Sequence, residues 1–131
     1  MVYAGVPAGC REMGGPMAAN VAVAAPGLVC FDAAGTQERM PAGTVAAASI
    51  ADVARRCATV FISVPDGAAT LAVARQVAAV DDRAVETVID LSTIGPQAAT
   101  EAAALLKPGG IDYCDGPVSG GARARASTWP R

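Results

Sequence analysis

The fold is decided by the stretch TVFISVPDG at residues 59–67. Its first six residues are mostly β-branched or aromatic, which is typical of a buried strand, and Pro65 ends that strand. Asp66 can then supply a side-chain oxygen to the free N–H groups at the start of a helix from Gly67 to about Val80. A strand that passes directly into a helix indicates the repeating unit of an α/β protein.

The same unit recurs along the chain. Further strands are predicted at residues 28–32, 87–91 and 111–115, and further helices from Pro16 onward, over 50–56 and over 97–107. Ser49 with Asp52 predicts a capped start for the helix at 50–56. Continuous apolar strands that alternate with helices indicate a parallel sheet covered on both faces. We therefore predict a three-layer α/β fold with a doubly wound parallel sheet, as one domain over residues 1–121.

The composition limits the classes of partner and chemistry. The chain has 131 residues, 53% of them hydrophobic, with a formal net charge of −2 and no histidine. This weakly acidic balance favours neither a nucleic-acid partner nor an anionic membrane. No apolar run approaches the ~20 residues of a membrane span, so we expect a soluble, cytoplasmic protein. The four scattered cysteines predict no metal site, and Cys30 and Cys57 are expected to be small buried hydrophobes.

A glycine turn before the first long helix predicts a site for phosphate. Gly9 and Gly14 match the outer glycines of the GxGxxG turn of Rossmann-type folds, but Arg11 occupies the middle position, where the backbone approaches the pyrophosphate. Pro7 would also interrupt a central strand. We expect residues 1–11 to be atypical and favour the interpretation that they form no working first strand; the alternative is that Arg11 pairs with a phosphate. Gly14 and the helix N-terminus behind it still favour an anion.

Asp32 is the candidate ligand of the adenosine ribose. It ends the strand at 28–32, about twenty residues after the glycine turn, where an acidic side chain holds the ribose hydroxyls in dinucleotide-binding folds. No arginine adjoins it to receive a 2′-phosphate, so NAD is favoured over NADP. The alternative is that Asp32 is only a turn residue.

Four motifs, in order, resemble the β-hydroxyacid dehydrogenase family, typified by 3-hydroxyisobutyrate dehydrogenase. They are MGGPMAAN at 13–20, SVPD at 63–66, DLSTIGP at 90–96 and DGPVSGG at 115–121, and the resemblance extends from Met13 to about Ala126. The resemblance implies two sets of site residues: for the cofactor, NAD or NADP, Gly9, Met13, Gly14, Asp32, Val64, Pro65 and Thr93; for the substrate, Ser119, Gly120 and Gly121. The alternative interpretation of these runs is helix caps and turns.

The two ends of the chain depart from the family. The family carries a second, helical domain with a catalytic lysine, whereas Lys107, the one lysine here, ends a helix before the substrate loop. Residues 122–131 are expected to be an irregular tail, and the odd ends suggest a truncated chain or a disrupted gene.

We therefore expect an NAD(P)-binding domain of a 3-hydroxyisobutyrate dehydrogenase-like oxidoreductase, inactive alone and without catalytic residues of its own. Its substrate would be a small hydroxyacid if a second domain completes it. The alternatives are a non-catalytic dinucleotide-binding module, or a non-functional remnant whose exposed apolar surface leads to an oligomer.

Overall fold

The computed structural model describes residues 2–4, 18–19, 27–33 and 35–117. The strands in this part of the chain are β1 (Val2–Ala4), β2 (Val29–Cys30), β3 (Val45–Ala46), β4 (Thr59–Ile62), β5 (Thr87–Asp90) and β6 (Asp112–Asp115). The helices are α1 (Thr36–Arg39), α2 (Ile50–Arg56), α3 (Gly67–Ala78) and α4 (Pro96–Leu106), with a 3₁₀ turn at Lys107–Gly109. Ala18 and Ala19 are helical as well.

The strands form one parallel sheet in the order β3-β2-β1-β4-β5-β6. The chain therefore moves outward from β1 to β3, returns to the centre, and moves outward again from β4 to β6. Because parallel crossovers are right-handed, these two opposite directions place their helices on opposite faces of the sheet. This is the strand order of the Rossmann fold, and the predicted doubly wound α/β class is confirmed.

The core lies at the paired centres of β4 and β5. Val60, Ile62 and Val88 are each 0% exposed. Helical residues cover them, and Ala18 and Leu106 belong to the same buried cluster. A sheet buried in this way needs the near-continuous apolar strands that the sequence shows.

The expectation for the first strand was wrong. Val2–Ala4 pairs with β2 on one side and with β4 on the other, so it is a central strand of the sheet. The strand therefore precedes Pro7, and the missing N–H of that proline does not interrupt the described ladder. Pro7, Gly9 and Arg11 lie outside the described residues, and so does the irregular tail expected at 122–131.

The predicted caps at Ser49 and Asp66 are confirmed. The Asp52 N–H donates to Ser49 Oγ at 3.1 Å, and the Ala69 N–H donates to Asp66 Oδ1 at 2.8 Å. The sequence analysis did not predict the short elements α1 and β3, and the bounds of the predicted strands and helices differ from those observed by at most two residues.

Two of the cysteines are buried, as the sequence predicts. Cys30 and Cys57 are buried free thiols, and burial raises the pKa of both. Cys114 is a free thiol on the exposed strand β6. No helix among the described residues is long and apolar enough to cross a membrane.

Helices α3 and α4 pack against each other, with Gly67 next to Ala98. A Cβ atom placed on Gly67 would lie 2.7 Å from the Cβ of Ala98, which is closer than two carbon atoms can pack. The glycine is needed here for space, because any side chain would push the start of α3 away from α4.

We expect Gly67→Ala to lower the free energy of unfolding by about 1–3 kcal/mol through overpacking. Ala98→Gly should relieve the overlap. The double variant should therefore lose less free energy of unfolding than the sum of the losses in the two single variants. Urea denaturation of the four proteins measures this coupling.

The matched control is Ala104→Gly, at an exposed position of α4. This substitution has the same intrinsic cost of about 1 kcal/mol in stability for replacing alanine by glycine in a helix. Ala104 is not among the residues that a Cβ on Gly67 would contact. Equal coupling of Gly67→Ala with both glycine variants would contradict a specific contact at Ala98.

Candidate functional site

The candidate site lies along the edge where the parallel strands end. β1 and β4 are neighbours, and the connections after them lead to opposite faces of the sheet. In open α/β sheets the ligand binds at such a reversal of the strand order, outside the carboxyl ends of the strands. Three of the sequence-predicted residues that follow strands at this edge are Asp32, Val64 and Thr93.

The loop after β2 is a tight turn built on the backbone of Asp32. The Gly35 N–H donates to the Asp32 carbonyl at 3.1 Å, and the Asp32 N–H donates to Thr36 Oγ1 at 2.9 Å. Gly35 has φ 129°, a conformation that residues with a side chain rarely adopt. The Glu38 carboxylate lies directly over Gly35, at the place a Cβ would occupy. A second acidic group therefore lies in the turn that follows Asp32.

The loop after β4 changes from buried to exposed within two residues. Ser63 and Val64 are buried, whereas Pro65 and Asp66 are exposed. Asp66 is tied to the start of α3 by its cap, so the loop is held at both ends. Val64 and Pro65 thus lie at the edge of the sheet, next to the reversal of strand order between β1 and β4.

The loop after β5 shows the same change. Ser92 is buried and Thr93 is exposed. Gly95, with φ 82°, precedes Pro96 at the start of α4, and this helix has no side-chain cap. Thr93 therefore does not cap the start of α4, which was the alternative interpretation of this residue.

A buried carboxylate connects these loops, and the sequence analysis did not select it as a site residue. Asp90 is 0% exposed. Its Oδ1 accepts from the Ser92 N–H at 2.9 Å, and its Oδ2 accepts from Thr70 Oγ1 at 2.8 Å and from the Tyr113 hydroxyl at 2.9 Å. A buried carboxylate is costly unless donors satisfy it, so this group fixes α3, β5 and β6 relative to one another. The sequence signal that could have identified Asp90 is its position as an acidic residue at the end of an apolar strand.

Strand β6 brings the start of the predicted substrate loop to the same edge. The Gly116 N–H donates to the Asp90 carbonyl at 2.8 Å, so Gly116 is fixed beside β5. Ser119, Gly120 and Gly121 follow it in sequence but lie outside the described residues, as do Gly9, Met13 and Gly14.

The structure brings two groups of predicted residues to one edge of the sheet. Val64, Pro65 and Thr93 occupy adjacent loops, because β4 and β5 are paired. Asp32 lies across β1, two strand spacings or about 10 Å from the end of β4. This separation suits an extended ligand that spans the two halves of the sheet.

No group of metal-binding side chains occurs among the residues that the structure describes.

Comparison with known families identifies the fold family. Residues 7–128 match the family described as the NAD binding domain of 6-phosphogluconate dehydrogenase. The chain belongs to this family. It is therefore an NAD(P)-binding domain, and in folds of this kind the cofactor lies at the carboxyl ends of the strands. A search of curated proteins found no match.

Solved structures with the same fold come from dehydrogenases and imine reductases. The 3-hydroxyisobutyrate dehydrogenase of Mycobacterium tuberculosis, solved with L-serine, is 28% identical with a TM-score of 0.77; the alignment covers 95% of this chain and 43% of that one. The 3-hydroxyisobutyrate dehydrogenase of Salmonella typhimurium is 25% identical with a TM-score of 0.69, covering 96% and 45%.

A variant imine reductase of Myxococcus stipitatus, solved with NAD⁺, is 19% identical with a TM-score of 0.72, covering 94% and 42%, and shows the fold alone. The chain thus spans less than half the length of these proteins.

The hydroxyl of Tyr113 gives this site a measurable pH dependence. Burial raises the pKa of the Tyr113 phenol above its ordinary value, and the Asp90 carboxylate adds to the shift. Tyr113 ionises near pH 10 in the unfolded chain but resists ionisation in the folded chain. Its contribution to stability is therefore complete below pH 10 and is lost as the pH rises further.

We expect the stability difference between the wild-type protein and Tyr113→Phe to be constant up to about pH 10 and to shrink above it, by up to about 1.4 kcal/mol per pH unit. Urea denaturation between pH 8 and pH 11 measures this, since the thiols titrate in both proteins and cancel. A difference that grows with pH would contradict the Tyr113–Asp90 contact.

Proposed function

We propose that this chain binds NAD across the carboxyl edge of its sheet and forms the cofactor half of an oxidoreductase acting on a small β-hydroxyacid. The observation that carries the proposal is the position of Asp32 beside β1 on one side and of Val64 and Thr93 on the other, in a sheet with the Rossmann strand order. This spacing matches a dinucleotide, whose two nucleotide halves lie on opposite sides of the central strand.

Asp32 has the chemistry for the adenosine ribose. An ionised carboxylate only accepts hydrogen bonds, and the ribose 2′- and 3′-hydroxyls can both donate. The backbone bonds of the Asp32 turn fix the position of this residue after β2. Bonds to a charged acceptor are among the stronger ones in proteins, so this contact contributes substantially to affinity.

The same loop favours NAD over NADP. A 2′-phosphate would lie near the carboxylates of Asp32 and Glu38, because Glu38 folds over Gly35 in this turn. Like charges this close repel each other, and the repulsion is partly screened at an exposed site. We therefore propose that NADH binds more tightly than NADPH.

The substrate half of the proposal rests on the loop that follows β6. Gly116 begins this loop at the cofactor edge, and the serine and two glycines at 119–121 supply a hydroxyl and unobstructed N–H groups suited to a carboxylate. A bound NAD would accept a hydride from the hydroxyl-bearing carbon, and the hydroxyl proton would pass to a base. Hydroxyacids are also the substrates named for the 3-hydroxyisobutyrate dehydrogenases of similar fold.

We expect the wild-type chain to bind NADH at least about tenfold more tightly than NADPH, and Asp32→Asn to weaken NADH binding about tenfold while narrowing that preference. Fluorescence titration of both cofactors measures these affinities. Removal of the charge lowers the attraction to ribose hydroxyls and also the repulsion of a 2′-phosphate.

The control is Asp82→Asn, which removes the same charge from an exposed side chain that pairs with Arg55. Asp82 lies in the loop before β5, at the opposite edge of the sheet. Equal losses of NADH affinity in the two variants would point to net charge, and an unchanged affinity in Asp32→Asn would contradict the ribose contact.

We further expect the chain by itself to bind NAD and NADH without catalysing the oxidation of 3-hydroxyisobutyrate by NAD. The sequence has no histidine, and Lys107 follows α4 at the edge opposite to the cofactor loops. The base must therefore come from another group. The test follows NADH absorbance with NAD and the hydroxyacid; turnover that copurifies with the chain and is lost in Asp32→Asn would disprove the expectation.

A further inference from the structure

The backbone ladder between β4 and β5 ends just before the cofactor loops. Its last bond runs from the Leu91 N–H to the Ile62 carbonyl at 2.8 Å. Val64 lies beyond this point and is only 6% exposed, so its N–H needs a partner inside the protein. Ser92 Oγ accepts from this N–H at 2.8 Å. A side chain thus extends the pairing of the two strands past their ends.

Ser92 is itself held in one position. It is 5% exposed, and its own N–H donates to Asp90 Oδ1 at 2.9 Å. The other oxygen of Asp90 is fixed by Thr70 from α3 and by Tyr113 from β6. The hydroxyl of Ser92 therefore has little freedom to move. The Val64 N–H, which donates to this hydroxyl, is fixed with it.

We propose that Ser92 is a positioning residue for the nicotinamide half of the cofactor and acts through the backbone of Val64. The inference rests on the proposed cofactor site. The exposed residues Pro65 and Thr93 each follow directly after one member of the Ser92–Val64 hydrogen bond. Loss of this bond would let the two loops move apart at the place where the nicotinamide ring has to be held.

A general contribution of Ser92 to stability would affect binding at both ends of the ligand. A positioning role would affect only the nicotinamide end. Asp32 lies across β1 from Ser92, so the adenosine end of the ligand should be insensitive to Ser92. ADP-ribose contains the adenosine, the diphosphate and a ribose but lacks the nicotinamide ring. Comparison of NADH with ADP-ribose therefore isolates the contribution of the nicotinamide ring.

We expect Ser92→Ala to weaken NADH binding about tenfold, the factor of one well-formed hydrogen bond, and to leave ADP-ribose binding within about twofold. The emission of bound NADH should also shift toward that of free NADH, because the nicotinamide ring reports its own surroundings. Calorimetry with ADP-ribose and fluorescence with NADH give both affinities, at a temperature where circular dichroism shows each variant folded.

Two variants complete the test. Ser92→Thr keeps the hydroxyl and should restore most of the NADH affinity. Thr44→Val removes another buried hydroxyl, which donates to the Pro41 carbonyl just before β3, and should weaken neither ligand. If Ser92→Ala fails to fold, amide exchange in the wild-type protein decides instead: the Val64 N–H should be protected, and protected further by NADH.

The possible failures are distinct. No NADH binding by the wild-type chain would disprove the proposed function. Normal NADH binding with an unaffected Ser92→Ala variant would disprove the positioning role alone. Equal losses of NADH and ADP-ribose affinity, or rapid exchange of the Val64 N–H, would also overturn it, since either would show that Ser92 does not act on the nicotinamide loops.

Discussion

The pairing of β1 with β4 is the contact on which the whole site depends. Val2–Ala4 is hydrogen-bonded to both β2 and β4, so the two halves of the sheet meet along this short strand. The strand order reverses at this pair, and in open α/β sheets the ligand binds at such a reversal. The position of the cofactor site follows from the strand order, and the side chains at the strand ends then determine which ligand fits.

Much of this architecture could be predicted from the sequence, because β4, β5, α2 and α3 carry strong local signals. The apolar run at 59–64 indicates a buried strand. Helix starts are indicated by the capping residues Ser49 and Asp66. Elements with weak signals were missed: β3 has two residues, one of them the exposed Val45, and α1 has four. β1 was misjudged because Pro7 was assigned to the strand, whereas the strand precedes it.

The candidate site was predictable only as far as motifs reach. Asp32 was identified by its position at the end of a strand, whereas Val64, Pro65 and Thr93 were implied by the family resemblance; all four lie at the expected edge. Asp90 and Ser92 stand in the same motif as Thr93, but their roles depend on Thr70, Tyr113 and the Val64 N–H, which are distant in sequence. Such a network is a property of packing, so no local pattern could reveal it.

The distribution of charge over the described residues limits how phosphates can be held. The described basic side chains lie at or beyond the C-terminal ends of helices: Arg55, Arg56, Arg75, Arg83 and Lys107. Cations there complement the negative end of the helix dipole. The charged side chains described at the cofactor edge include the carboxylates of Asp32, Asp66 and Asp115. Within this part of the chain a diphosphate would depend on backbone N–H groups and helix dipoles, while the carboxylates would select for ribose hydroxyls over an additional phosphate.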